Sequence, residues 1–255
     1  MKISIVTLFP KMISGFFEES IIKRAKEKKL VEIELVNLRD FAENAHRSVD
    51  DKPYGGGAGM VMRVDIVSKA VESLKKKNSK VVLTSAKGKQ FGQKKAEEFS
   101  KLDHLIIIAG HYEGADARVG DFIDEEVSVG DFILTGGELT AAMVVDAVVR
   151  LLPGVLKKEE ATQEESFFAV DVEKLINAVG QTDILTKLKN SDVTEVQLLE
   201  YPHYTRPETF QEKKVPGVLL SGNHKEIEKW RLVKAYEETV KKRPDLLKNQ
   251  GLTKK

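Results

Sequence analysis

One stretch constrains this chain more than any other: LIIIAGHYEGADARVGDFIDEEVSVGDFILTGGELTAAMVVDAVVRLLPGVL, from Leu105 to Leu156. It opens with Leu105-Ile106-Ile107-Ile108, a short apolar run that predicts a fully buried strand. The run ends in Ala109-Gly110, where side chains stop and the backbone can approach a ligand. A second short apolar segment, Val127-Ser128-Val129, ends the same way at Gly130. Residues 131–138 then turn through Gly136-Gly137 into an apolar helix predicted from about Leu139 to Leu151. Two buried strand ends beside a glycine-rich helix entry predict a pocket lined by backbone. Such a pocket suits a planar base, whose polar edge exposed N–H and C=O groups can read.

The rest of the chain supplies the frame. Ile3 to Phe9 predicts a buried strand stopped by Pro10. Apolar residues at 13, 16, 17, 21 and 25 predict a helix over Ile13 to Lys28, and Val31-Glu32-Ile33-Glu34-Leu35 alternates as a half-buried strand does. Helices are expected at Val64–Leu74 and Gln90–Phe99, and a strand at Lys80–Thr84. Strands alternating with helices predict an α/β domain with a largely parallel sheet. Between Phe168 and Gln197, the apolar spacing predicts one amphipathic helix or two short ones joined near Gly180. A further helix is expected from Asn223 to about Lys242, stopped before Pro244, with a polar tail beyond Lys248.

Composition narrows the function classes. A net charge of +1 means that any nucleic-acid surface is a local patch. With no cysteine, thiolate metal sites and catalytic thiols are excluded, and the five histidines show no paired metal-ligand spacing. No stretch has the length of a membrane span, and the N-terminal apolar run is cut by Pro10 and Lys11, so a cytoplasmic protein is expected.

Six motifs occur in an order that resembles the bacterial tRNA (guanine-N1)-methyltransferase family of the knotted SPOUT superfamily. They are Pro53-Tyr54-Gly55-Gly56-Gly57-Ala58-Gly59-Met60, Gly110-His111-Tyr112-Glu113-Gly114, the run from Ser128 to Glu138, Asp146-Ala147-Val148-Val149-Arg150, Tyr201-Pro202-His203-Tyr204-Thr205-Arg206-Pro207, and Leu219-Leu220-Ser221-Gly222-Asn223-His224. The resemblance implies a SPOUT-type parallel-sheet domain with a deep trefoil knot over residues 1–160. An interdomain linker with an insertion would follow over 161–200, then a small C-terminal helical tRNA-binding domain over 201–255. The knotted segment would be roughly Leu105 to Arg150. Periodicity alone does not call for a knot, since chains rarely thread their own loops.

The same resemblance implies S-adenosylmethionine as methyl donor, tRNA as substrate, a homodimer and no membrane partner, with Mg2+ as a further candidate requirement. The donor would be held by Leu83, Thr84, Ser85, Gly110, Tyr112, Glu113, Val129, Gly130, Asp131, Phe132, Ile133, Leu134, Gly136 and Gly137. The target would be N1 of the guanine immediately 3′ of the anticodon, contacted by Asp50, Tyr54, Gly55, Gly56, His203 and Arg206. Arg150 matches the family's catalytic arginine, although a cation ending an apolar helix also complements the helix dipole. Glu113, in a glycine-flanked turn after a buried strand, is a further candidate catalytic group. Glu138 fits either a site role or a plain helix start. Trp230 reads as core in preference to an RNA platform.

The general base is where the chain departs from the family pattern Ser-Phe-x-Asp-Gly-Leu-Leu-Glu-Tyr-Pro. Ser166-Phe167 and Leu198-Leu199-Glu200-Tyr201-Pro202 are both present, but the long segment between them hides the aspartate. Asp171 is the chosen candidate, with Asp192 and Glu195 as alternatives. Two other readings remain at this point. One is a SPOUT methyltransferase acting on a different RNA position; the other is a SPOUT-fold RNA-binding protein that has lost catalysis.

Overall fold

The computed structural model describes residues 1–156 and 165–248, and divides the chain into two compact units, Met1–Glu159 and Glu160–Lys255. In the first unit the elements run β1 (Lys2–Thr7), α1 (Pro10–Ile13), α2 (Ser20–Glu27), β2 (Glu32–Asn37), β3 (Asp50–Asp51), β4 (Val61–Met62), α3 (Val64–Leu74), β5 (Ser79–Gln90), α4 (Gln93–Ser100), β6 (His104–Ile108), β7 (Glu125–Ser128) and α5 (Glu138–Val149). Five of the strands form a wholly parallel sheet in the order β2-β1-β6-β5-β7. This is the α/β architecture expected from the alternation of elements.

The sheet explains why β6 lacks any polar alternation. It lies at the centre with both faces covered, as strands of parallel sheets do. Leu105 and Ile107 join Ile3, Ile5 and Val82 in a core against α2, α4 and α5. Ile106 and Ile108 join Val6, Val81 and Leu83 in a second core against α3. Every residue of β6 is buried. At the edge, β2 keeps an exposed or half-buried face, matching its alternating sequence.

The helix expected over Ile13–Lys28 is broken. A 3-10 turn over Ser14–Glu18 follows α1, and Ser20, the first residue of α2, adopts φ +53°. That left-handed residue shifts the helical phase by one. Phe17 is buried, but the next inward residue is Ile22 instead of Ile21, and Phe16 is left exposed. Strand β5 also runs past its expected end: Val127 pairs with both Thr84 and Lys89, so residues 85–88 bulge out between two registers.

The second unit contains β8 (Phe168–Asp171), α6 (Val172–Val179), α7 (Asp183–Asn190), β9 (Glu195–Leu198), β10 (Thr209–Phe210), β11 (Lys213–Lys214), α8 (Gly217–Leu220) and α9 (His224–Lys242). The two helices expected around Gly180 are α6 and α7, separated by Gly180 at φ +93°. Their setting differs from the expected linker. β8 and β9 pair antiparallel, and Val172, Leu175, Leu185, Leu188, Val196 and Leu198 share one core with Leu232, Ala235 and Tyr236 of α9. The segment is therefore part of the C-terminal unit, its apolar stripe packed with β8, β9 and α9 in one core. The boundary expected at 160 and the tail beyond Lys248 lie outside the described residues.

Candidate active site

The parallel strands all point their C-terminal ends the same way, and ligands of such sheets bind there. A cavity of about 520 Å³ opens at the ends of β5, β6 and β7. Of the residues expected to hold the donor, Leu83, Thr84, Ser85, Gly110, Tyr112, Glu113, Val129, Gly130, Phe132, Ile133, Leu134, Gly136 and Gly137 all line it. Asp131 is exposed and does not. Ala86 and Lys87, from the bulge in β5, line it as well.

Close backbone contacts set the walls. Gly110 N–H donates to Thr84 Oγ1 at 2.9 Å, and Gly137 N–H donates to Gly110 C=O at 2.6 Å. A methyl group on Gly137 would fall onto the Thr84 hydroxyl and 2.7 Å from Gly110 N, so only glycine lets the entry of α5 lie on β6. Gly130, at φ +150°, turns the chain out of β7 in a conformation that L side chains resist. Phe132 and Ile133 then stand exposed at 54% and 84%, an apolar lip on the cavity.

The loop carrying Tyr54, Gly55 and Gly56 is tied to the same wall. Asp50 pairs with Met62 in the β3–β4 hairpin, Met62 N–H donates to Gly114 C=O, and Glu113 N–H donates to Met60 C=O. The Glu113 carboxyl group lies against Gly59, where a side chain would collide with it at 2.5 Å. Tyr54 itself is fully exposed. Glu113 thus sits where the cavity meets the loop of Tyr54. Asp116, also on the cavity wall, is held by Arg118 through guanidinium bonds of 2.9 and 2.7 Å and a backbone N–H, which pull its carboxyl group down to about 2. It stays ionised and engaged, a poor proton acceptor at neutral pH.

Arg150 is at the other end of α5, as its C-cap residue. It lies twelve positions after Glu138, roughly 18 Å along the helix. It is not among the cavity-lining residues of its own chain. It does share a stripe with the exposed Leu139, Met143 and Asp146, at the i, i+4, i+7, i+11 spacing of one helix face.

In the second unit, Asp171 caps α6 by accepting a 3.0 Å hydrogen bond from Lys174 N–H. It lies directly across from Glu195 in the β8–β9 pair, and both are exposed. Asp192 is exposed at φ +55° in the preceding turn. Counting back from Leu198-Leu199-Glu200-Tyr201-Pro202, the aspartate position falls on Val196, which β9 buries. A one-residue offset in a strand reverses the face, so Glu195 looks outward. His203 lies 3.3 Å from Glu200 and its ring packs on Tyr201, while Arg206 is exposed. Trp230 is half-buried beside Tyr204 and lies outside the buried core, contrary to the expected core role. Among the described residues no cluster of three or more His, Cys, Asp or Glu side chains could hold a metal ion, and no helix is long and apolar enough to cross a membrane.

The sequence profile of the family described as tRNA (Guanine-1)-methyltransferase TrmD matches residues 1–249. The chain belongs to this family. Among curated relatives, a tRNA (guanine-N(1)-)-methyltransferase of Carboxydothermus hydrogenoformans is 50% identical over 255 residues, covering 100% of this chain and 90% of the relative. One of Dictyoglomus turgidum is 49% identical over 253 residues, covering 99% of this chain and 92% of its own length. A Bacillus cereus protein of the same description is 45% identical over 258 residues, covering 100% and 95%.

Within this TrmD family member, the structure adds two residues that the sequence left out or left open. His111 lines the cavity, and Glu138 is completely buried beneath it. They are 27 positions apart in the chain and meet through a bridge between His111 and Gly136 that no local pattern announces.

Proposed function

We propose that this chain transfers a methyl group from S-adenosylmethionine to N1 of the guanine immediately 3′ of the anticodon in tRNA. The observation that carries the reading is the convergence of three strand-end loops on one cavity, in a chain that matches the family along its length. The cavity has the size of a small-molecule site, and its walls offer what the donor's parts need. The backbone of 129–135 can read an adenine edge, and the lip formed by Phe132 and Ile133 can cover apolar surface. When bound, S-adenosylmethionine supplies a methyl group already activated by its sulfonium centre.

The protein's own groups deal with the acceptor. Neutral guanine carries a hydrogen on N1, and a carboxylate must take it before the nitrogen is nucleophilic. We assign that role to Asp171, with Asp192 and Glu195 as the nearest alternatives. As the proton leaves, negative charge collects on O6, where the guanidinium of Arg150 offers charge-assisted donors. Glu113, Asp50, Tyr54, Gly55 and Gly56 would position the base from the loop side, and His203 and Arg206 would contact the RNA. Mg2+ stays a candidate requirement, which activity with and without a chelator reads out.

The position of Arg150 supports a homodimer. Leu139 and Met143 are about half exposed on the stripe that ends in Arg150, and Phe9, Met12 and Phe16 add exposed apolar surface to the same unit. A two-fold pairing that sets two such stripes antiparallel brings Arg150 of a second copy beside Leu139, next to the cavity entrance. The trefoil knot, over roughly Leu105 to Arg150, and a cytoplasmic location complete the proposal.

The test is methyl incorporation from labelled S-adenosylmethionine into two tRNA transcripts, one with guanine and one with adenine 3′ of the anticodon. N1-methylguanosine from the first alone is expected. Label in a ribose, or in both transcripts, would point instead to a different RNA position. Binding of tRNA and cofactor without label would mark an RNA-binding protein without catalysis.

A further inference from the structure

A carboxylate with no solvent exposure is costly unless donors surround it. Glu138 is at 0% exposure, at the first position of α5 and directly under the cavity wall. Its Oε1 accepts a 2.9 Å hydrogen bond from Thr7 Oγ1, and that hydroxyl in turn accepts from Phe9 N–H at 3.0 Å. Its Oε2 has no hydrogen-bond partner, and neither does Nδ1 of His111, which is buried 3.5 Å away. Two unsatisfied buried atoms facing each other, one able to donate and one able to accept, form a bond that needs only a small closure.

The surroundings keep this pair in place. A side chain on Gly136 would strike both the His111 ring and the Glu138 carboxyl group, so the glycine leaves room for the two to meet. His111 also bridges Gly136 through the backbone, and its ring packs against Phe9 at 5.0 Å and Tyr112 at 4.7 Å. Tyr112, the next residue, sits at φ +59°, a strained conformation that persists only when its neighbours fix it. The turn that carries Gly110 and Tyr112 into the cavity is therefore anchored at His111.

We propose that Glu138 is a positioning residue for methyl-donor binding and acts through His111. The buried carboxylate selects the imidazole tautomer with its proton on Nδ1, receives that N–H at Oε2, and so locks the turn from Gly110 to Gly114 against the entry of α5. No bond to the donor is made by Glu138 itself. The inference rests on the reading of the cavity as the S-adenosylmethionine site.

Two substitutions separate this role from simple packing. His111→Asn removes the ring but keeps a side-chain N–H close to the position of Nδ1. His111→Phe keeps the ring and its contacts with Phe9 and Tyr112 but has no donor. Titration calorimetry of the full chain with S-adenosylmethionine should find His111→Asn within about threefold of the parent. His111→Phe and Glu138→Leu should each weaken binding by about tenfold or more, as loss of a hydrogen bond to a charged group does. Nitrogen NMR of the parent should show His111 protonated at Nδ1. If His111→Phe binds as well as His111→Asn or better, or if the proton is on Nε2, the proposal is overturned. Should the parent chain fail to bind S-adenosylmethionine, the donor reading falls by itself. The tautomer, together with amide exchange of residues 110–114, then still decides. Faster exchange in His111→Phe than in His111→Asn supports the anchor, and equal exchange removes it.

Discussion

The cavity walls of the first unit and the segment from Phe168 to Leu198 in the second are both built from ordinary residues, yet they constrain sequence in different ways. Around the cavity, backbone lies on backbone: Gly137 touches Gly110, and Gly110 touches Thr84. Only one residue type satisfies such an approach, so the requirement appears as a fixed letter at a fixed place. In the second unit, Leu175, Leu185 and Leu188 need only be apolar and face α9. Many sequences meet that condition. A contact between backbones leaves a signature that can be read in one chain, whereas a contact between apolar side chains leaves only a periodicity.

The sharpest test of this contrast is at Gly137. Gly137→Ala should abolish measurable S-adenosylmethionine binding, a loss of at least about a hundredfold, because the added methyl group overlaps Thr84 and Gly110 in a wall that cannot relax cheaply. If calorimetry finds near-normal affinity, the cavity wall is softer than the backbone contacts imply. In the second unit the corresponding question concerns Asp171, whose carboxylate has a structural duty as the cap of α6. Asn caps a helix about as well as Asp, so Asp171→Asn should leave the melting temperature nearly unchanged. Single-turnover methyl transfer should nonetheless fall by roughly a hundredfold if Asp171 is the base. Unchanged turnover in Asp171→Asn, with a loss in Glu195→Gln, would transfer the role across the β8–β9 pair.

A smaller effect, on stability, asks whether the second unit has its own core. Leu175 is completely buried, and Leu175→Ala should cost about 2–5 kcal/mol. The expected outcome is an early unfolding transition by differential scanning calorimetry, with S-adenosylmethionine affinity retained at temperatures below it. Loss of both together would mean that the units do not unfold separately. The smallest effect concerns the far end of the sheet. His104 is buried in β6, between the hydroxyls of Ser4 and Ser79 at 3.0 Å each. Burial, aided by Lys2 and Lys76, holds its pKa below the usual histidine value. The folded state therefore prefers the neutral ring. Its contribution to stability is complete above the unfolded pKa, near 6.5, and is lost as pH falls through the lower folded value. The melting temperature should decline over that range, and less so in His104→Gln.

Much of the first unit was legible in the sequence because its strands are short apolar runs punctuated by glycine and proline. The failures have local causes. The break before α2 depends on one left-handed residue, Ser20, whose type does not require it. The extension of β5 depends on a bulge that re-pairs Val127. The Thr7–Glu138–His111 cluster joins the ends of β1 and β6 to the start of α5, so no window of sequence contains it. In the second unit the helices were readable from their stripes, but their common core with α9 was not. The aspartate position was legible only up to an offset, and a strand turns an offset of one into a change of face, as Val196 and Glu195 show.

Helix α5 has one end at the cavity and the other at Arg150, roughly 18 Å away. In the paired arrangement proposed above, each copy lends its arginine to its neighbour and borrows one in return. Two inactive proteins could then cure each other. A chain with Arg150→Ala keeps a sound cavity, and a chain with Gly137→Ala keeps a sound arginine. Co-expressed and randomly paired, they should regain about a quarter of the wild-type sites, since half the pairs are mixed and each mixed pair has one complete site. An enzyme that used its own arginine would show no such recovery.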